Sequence, residues 1–302
     1  MKINEHKFKE LLKNKGITKS ALCEKLGISS KTIAKISKGE EVGERVVNNI
    51  ALFLNVSMGE LVEVNHLLQL LERERALKVS GGLYHETQIR LTYNSNHIEG
   101  SCLTEDQTRY IFETKTLGNL PQNVTIDDII ETNNHFKCID YVIQNATNEL
   151  SETFILNLQL LLKQGTNFAT TYGAGKYKEF PNVVGGFETT APKNVGKEMK
   201  ELLGWYNSLK KITFENIVEF HYRLECIHPF QDGNGRIGRL IVFKECLKNN
   251  FVPSFIDDRF KAEYYNGLKQ WTTEKNFLIE TFKFGQDLYK RLPNYFNVPY
   301  KD

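Results

Sequence analysis

Apolar residues in the first sixty positions recur at helical spacing. Phe8, Leu11 and Leu12 share one face of a first run. Thr18 opens a second, in which Ala21, Leu22 and Leu26 lie together, and Gly27-Ile28 makes a turn. Ser29 stands as N-cap of a third run over 30–37, and Gly39 stops it. A fourth amphipathic run covers 44–54. A longer charged run follows, carrying Leu67, Leu68, Leu70 and Leu71, and Gly81-Gly82 interrupts it. Thr104 and Gln107 spell a capping box ahead of Tyr110, Ile111 and Phe112. Periodicity then predicts helices over 126–145, 151–163, 195–209, 214–227, 236–248, 260–271 and 274–288. One stretch departs from this pattern. Residues 173–192 are rich in glycine, and Tyr177-Lys178-Glu179 with Val183-Val184, followed by Gly185-Gly186, predicts a β-hairpin. The fold class expected is mainly α with one hairpin.

Composition adds exclusions. Of 302 residues, 40% are hydrophobic and 25% charged, ordinary for a globular protein. No segment approaches the roughly 18 consecutive apolar residues of a membrane span, so no membrane partner is expected. Met1-Lys2-Ile3-Asn4-Glu5 has no secretory character. Five scattered cysteines without a CxxC argue against a zinc site or disulfide framework, and for the cytoplasm. Net charge is +2, but residues 1–60 hold 11 Lys/Arg against 7 Asp/Glu. That excess hints at an anionic partner for the N-terminal fifth.

The N-terminal pattern gives the hint a form. Two short helices joined by a glycine turn, the second rich in Ser, Thr and Lys, is a helix-turn-helix signature. It resembles the lambda-repressor-like family over residues 5–62. Ser29, Ser30, Lys31, Thr32 and Lys35 sit where a recognition helix meets a major groove, to touch phosphates or base edges. Such domains read paired half-sites, so a homodimer on DNA is expected. A small helical bundle that binds protein is the alternative.

Residues 228–239 read His-Pro-Phe-Gln-Asp-Gly-Asn-Gly-Arg-Ile-Gly-Arg. Three glycines and a proline are costly inside a helix, so a shaped loop is expected. The backbone of Asp232-Gly233-Asn234-Gly235 suits an anion nest at the start of the following helix. Glycine at 233 and 235 permits close approach to a phosphate. Asp232 makes sense as a holder of Mg²⁺ bridging phosphates. Arg236 and Arg239 lie one turn apart and can reach one polyphosphate. His228 is suited to take a proton from an attacking hydroxyl. Phe230 reads as a buried anchor and His221 as structural. Gly233, Gly235 and Gly238 also fit a GxGxxG spacing, but without the preceding strand a dinucleotide fold requires.

This stretch matches the Fic-family motif at every defining position. The surrounding pattern, from about residue 95 to 288, resembles a Fic domain. The resemblance implies transfer of AMP from ATP to a hydroxyl of a target protein. In that reading His228 is the general base and Asp232 binds Mg²⁺. Asn234 and the backbone of Gly233 and Gly235 position the α-phosphate region, and Arg236 and Arg239 hold the outer phosphates. Phe230 and Tyr265 complete the ATP site, Tyr265 with Tyr264 on the adenine side, while Thr272 replaces a common Asn. The related Doc branch, which phosphorylates, has Lys where this chain has Gly235, so Gly235 favours AMP transfer. Ser95-Asn96-His97-Ile98-Glu99-Gly100 matches the family's inhibitory pattern, with Ser95, Glu99 and Gly100 at its defining positions. That implies a Glu99–Arg239 pair. The hairpin matches the family's flap, with Lys178, Val183 and Val184 as its contacts.

The expected organisation is a helix-turn-helix domain at 1–64, a helical connector at 65–92, and a Fic domain with an N-terminal inhibitory helix at 93–302. The expected function is Mg²⁺-dependent AMP transfer from ATP to a Ser, Thr or Tyr hydroxyl, held off by Glu99. Two alternatives stay open: a DNA-binding regulator whose core senses nucleotide, and a hydrolase that removes AMP at the same site.

Overall fold

Side-chain caps set the helix starts in the N-terminal part of the chain. Asn4, Thr18, Ser29 and Ser57 each accept the backbone N–H three residues on. They open α1 (Glu5–Asn14), α2 (Lys19–Leu26), α3 (Ser30–Ser37) and, after α4 (Glu44–Phe53), the short α5 (Met58–Leu61). Gly27, at φ 62°, closes α2 in the left-handed conformation that glycine adopts without a Cβ penalty. Phe8, Leu22, Ile36, Val47, Ile50 and Leu61 form the buried centre. Burying such a side chain contributes about 1.5–3 kcal/mol. An antiparallel bridge from Ile3 to Val62 joins the two ends.

The computed structural model describes residues 1–62, 65–118 and 123–300, without the side chain of Phe187. It divides into two units, Met1–Asn65 and His66–Asp302. The domain end expected at 64 falls on residues 63–64, outside the described residues.

The second unit is built around one buried helix. Its elements are α6 (His66–Leu77), α7 (Leu83–Ile98), α8 (Glu105–Thr114), α9 (Ile126–Gln144), α10 (Glu152–Lys163) and α11 (Asn167–Tyr172), then strands β1 (Val183–Val184) and β2 (Phe187–Glu188). After these come α12 (Pro192–Asn207), α13 (Phe214–Ile227), α14 (Asn234–Lys248) and α15 (Lys261–Tyr295). Ile237, Leu240, Ile241, Val242, Phe243 and Leu247 bury α14 around its whole circumference. It packs against α13, α9, α7 and α10.

Three sequence expectations change. Leu67, Leu68 and Leu71 of α6 and Leu83, Tyr84 and Leu91 of α7 belong to this unit's core. Residues 66–92 are therefore not a connector, because their apolar faces are buried in the second unit. The helices expected at 260–271 and 274–288 are continuous except for a non-helical Glu274 (φ −145°, ψ 71°), and the second part runs on to Tyr295. The hairpin pairs Val183 with Glu188 and Val184 with Phe187, not with 177–179. Gly185 and Gly186, at φ 57° and 86°, are its two turn residues, so the strands lie immediately on either side of them. No helix among the described residues is long and apolar enough to cross a membrane.

Candidate active site

His228 ends α13. It adopts a left-handed conformation (φ 50°, ψ 61°), uncommon for a residue with a side chain, and its N–H donates to Leu224 O at 2.8 Å. The chain therefore turns sharply at the expected base. Phe230 is fully buried and lies 5.9 Å from the Tyr177 ring. Its side chain anchors the loop, in keeping with the reading of Phe230 as a buried anchor. Asn234 is also turned inward. Its Nδ2 donates to Phe230 O and its Oδ1 accepts from Phe230 N, both at 2.8 Å. The amide braces the loop, so what Asn234 offers an anion is its backbone N–H.

Gly233, at φ 90°, is the N-cap of α14, and among the described residues no side chain caps that helix. The first N–H groups of α14, at Asn234, Gly235 and Arg236, have no intrahelical acceptor, the arrangement of the expected anion cradle. A β-carbon at Gly233 would stand 3.2 Å from Leu162 Cδ2.

The two arginines are buried and already paired. Arg236 binds Glu131 of α9, and its Nη2 lies 3.6 Å from Asp232 Oδ2. Lys163 of α10, 1% exposed, also binds Glu131 and Asp232. Two cations and two carboxylates thus close on one another. Burial pushes the Asp232 carboxyl up, but Lys163 and Arg236 outweigh it and hold it below its ordinary value. Glu131 and Lys163 escaped the sequence reading. They sit on other helices, 105 and 69 residues from their loop partners, and belong to no motif.

Arg239 is held from α7. Its Nη2 donates to Glu99 Oε1 at 2.7 Å and to Ser95 O at 2.9 Å, and its Nε to Ser95 Oγ at 3.1 Å. Gly100, at φ 101°, lets the chain turn just after Glu99. Glu99 Oε1 lies 2.2 Å from where a β-carbon on Gly235 would stand. The carboxylate therefore rests on the first turn of α14, inside the cradle. Burial raises its pKa, but Arg239 and Arg236 overcome that and keep it ionised.

Lys178 grips the chain on both sides of His228. Its N–H donates to Pro229 O at 2.9 Å and its ammonium to Ile227 O at 3.3 Å. The ammonium also donates to Asn182 Oδ1 (2.8 Å) and Thr189 Oγ1 (2.6 Å), the residues flanking the hairpin. The side chain is 4% exposed, which corrects its expected role as a flap-edge contact: it staples the hairpin's base. Burial lowers its pKa to about 8. Val183 and Val184 of the hairpin are exposed. Burial and the Lys178 charge lower His228 to about 4, against pulls from the Glu225 main chain, Glu99 and Asp232. The imidazole is neutral at pH 7, as a base must be.

Tyr265 is partly exposed and its hydroxyl donates to Ile98 O at 3.4 Å, while Thr272 is exposed. His221 is fully buried and its Nε2 hydrogen-bonds Tyr264 OH at 2.7 Å, a structural pairing.

In the first unit, α3 buries Ile33 and Ile36 and exposes Ser29, Ser30, Lys31 and Lys35. Thr32 is half-buried. Its hydroxyl lies 2.9 Å from Ser29 Oγ, and both belong to the cap. Lys31 and Lys35 make no ion pair among the described residues.

Residues 149–245 match the Fic/DOC family, and residues 7–66 match the Cro/C1-type HTH DNA-binding domain. The chain is 27% identical over 215 residues to protein adenylyltransferase fic-1 of Caenorhabditis elegans, covering 68% of this chain and 39% of that protein. It is 27% identical over 189 residues to protein adenylyltransferase Fic of Nematostella vectensis, covering 61% and 43%. It thus spans about two fifths of these curated relatives. A Fic domain containing signaling protein from Bacteroides thetaiotaomicron has a similar fold, with TM-score 0.62, 23% identity, and coverage of 79% of this chain and 99% of that one. A Fic family protein from Desulfovibrio desulfuricans gives TM-score 0.57 at 19% identity, covering 79% and 77%. The likeness to the Fic/DOC family thus lies in the second unit, and the likeness to the Cro/C1-type HTH DNA-binding domain at the N-terminal end of the chain.

Proposed function

We propose that this protein transfers AMP from ATP to a Ser, Thr or Tyr hydroxyl of a target protein, and that its own Glu99 restrains the reaction. His228 takes the hydroxyl proton. The freed oxygen attacks the α-phosphorus in line, a P–O bond to the target forms, and pyrophosphate leaves. The N–H groups opening α14 and the Arg236 and Arg239 guanidinium groups bind the phosphate oxygens. The hairpin aligns the target through its exposed strand edge, and Tyr265 borders the base.

A Mg²⁺ ion fits this site in one way. Among the described residues no group of three His, Cys, Asp or Glu side chains is placed to hold a metal. Asp232, with its side chain 51% exposed at the loop, offers a single carboxylate. Mg²⁺ commonly takes one protein carboxylate and completes its shell with substrate phosphates and water, which suits that donor set. When bound it would neutralise charge on the phosphates. Lys163 must first release Asp232.

The observation that carries this reading is the position of Glu99. A carboxylate on the uncapped start of α14, paired with Arg239, occupies the place a polyphosphate would take. The test uses labelled ATP with the full chain. Glu99→Gly is expected to label itself or a lysate protein well above wild type, and His228→Ala on that background to lose about 10²–10⁴ of the rate. Equal labelling by wild type and Glu99→Gly would remove the restraint, and no labelling by either would remove the activity.

The DNA-facing part of the proposal rests on α3. Exposed Lys31 and Lys35, with Ser29 and Ser30 beside them, suit phosphate and base-edge contacts, with two copies on paired half-sites.

A further inference from the structure

One turn before His228, α13 carries Glu225. Its side chain is 13% exposed, and Oε2 lies 3.7 Å from His228 Nδ1. Glu225 Oε1 and His228 Nδ1 are both buried without a partner at full hydrogen-bond distance among the described residues, although the Glu225 main chain also acts on the His228 ring. Glu225 and His221 both close on Gly238 of α14. A β-carbon there would stand 2.5 Å from His221 Nδ1 and 3.1 Å from Glu225 Oε1. A carboxyl buried with an idle oxygen is costly to the fold. Here it faces Nδ1, the buried ring nitrogen of His228.

We infer that Glu225 is a positioning residue for His228: it holds the ring through Nδ1 and stabilises the imidazolium formed when Nε2 takes the target's proton. This rests on reading His228 as the base. The proton moves from the target oxygen to Nε2. The Nδ1 proton stays on Nδ1 and is donated to Glu225, and the Nε2 proton passes to water as product leaves. The arrangement is that of a base oriented by a third group.

The charges around the pair add a link to the restraint. His228 is faced by Lys178 from the hairpin's base, Glu99 from the end of α7, Asp232 from the loop, and the main-chain carbonyl of Glu225. Glu225 is faced by Glu99 and by Arg239 of α14. Burial and the Glu99 charge push Glu225 up to about 8, against Arg239. With Glu99 docked, Glu225 keeps its proton near neutrality and lends His228 no negative charge. Withdrawing Glu99 favours the carboxylate.

The test is nuclear magnetic resonance of ¹⁵N-histidine-labelled full-length protein, with His228 assigned by its loss in His228→Ala. In Glu99→Gly, the His228 Nδ1 signal is expected to show a titration step between about pH 5 and 8, which Glu225→Gln removes. AMP transfer by the double variant should fall about tenfold, with the KM for ATP within about twofold of Glu99→Gly. Superimposable Nδ1 titrations with and without Glu225→Gln overturn the inference and leave the main-chain carbonyl as the orienting group. If Glu99→Gly transfers no AMP, the adenylyltransferase reading fails, and the Nδ1 titration still decides the coupling. Glutamine copies the shape of the protonated acid, so folding should survive. Should it not, Glu225→Asp withdraws the carboxylate by one methylene and is expected to diminish the step, and an unaltered step counts against the inference.

Discussion

Helices α3 and α14 are both candidate anion-binding elements, and they manage charge in opposite ways. α3 fills its own N-terminus with the Ser29 hydroxyl and leaves Lys31 and Lys35 in solvent. α14 has an uncapped N-terminus, and its two arginines are buried against Glu131, Asp232 and Glu99. A helix that meets a long polyanion works with mobile surface cations, which gain by counterion release. A helix that meets a small anion in a cleft needs fixed cations, and a buried fixed cation requires a partner while the cleft waits. The carboxylates around α14 therefore belong to the stability of the second unit and, on the function proposed, to its restraint, whereas the lysines of α3 belong to neither.

The sharpest separation of the two helices comes from stability. Arg236→Ala leaves the Glu131 carboxylate short of a buried partner, and chemical denaturation should show a loss of about 3–5 kcal/mol in the second unit. Lys35→Ala should leave the melting midpoint of the first unit unchanged. Similar losses at both sites would erase the contrast.

Acid should act on the second unit through its buried histidines. Burial lowers His135 and His221 to about 3 and His228, with Lys178, to about 4. The unfolded chain binds these protons near pH 6.5, so their contribution is whole above that pH and is lost as pH falls towards 3. At pH 5 the cost is about 2 kcal/mol for each histidine. Denaturation curves at pH 7.5 and 5 test this, and a second unit as stable at pH 5 would count against neutral, buried rings.

A smaller effect is expected where the cleft's own carboxylate is neutralised. Glu99→Gln keeps the shape of the side chain but not its charge. It should tighten ATP binding by about tenfold in calorimetry, as removal of a competing state does. Unchanged affinity would place Glu99 outside the phosphate path. The smallest effects belong to α3. Lys31→Ala and Lys35→Ala should each lower the salt dependence of DNA binding by about one ion, read as the slope of affinity against salt concentration. A lysine whose removal leaves that slope intact is not at a phosphate.

Much of this arrangement was legible in the sequence where local chemistry decides it. Ser29, Thr18 and the Thr104–Gln107 box announce their helix starts because a cap is a contact within three residues. Residues 228–239 announce a shaped loop because three glycines and a proline are costly inside a helix. Gly185-Gly186 marked the hairpin, but which segment pairs across it depended on the turn geometry of those two glycines. The partners of Asp232 and Arg236 were not legible. Glu131 and Lys163 look like ordinary polar positions of α9 and α10, and only packing brings them to the loop. Glu225 was passed over for a related reason, since a carboxylate on an amphipathic helix reads as solvated until its burial is known. Asn234 and Phe230 were given to the nucleotide because a motif names residues and not the direction in which they point.

The missing side chain at Gly235 has a consequence for which sequences can coexist. Glu99 Oε1 uses the volume that any side chain at 235 would claim. A β-carbon there, at 2.2 Å, would evict it. A chain with lysine at this position cannot also keep Glu99 docked as it is here. The choice of residue at 235 thus also decides whether Glu99 can dock, and a single substitution there changes both.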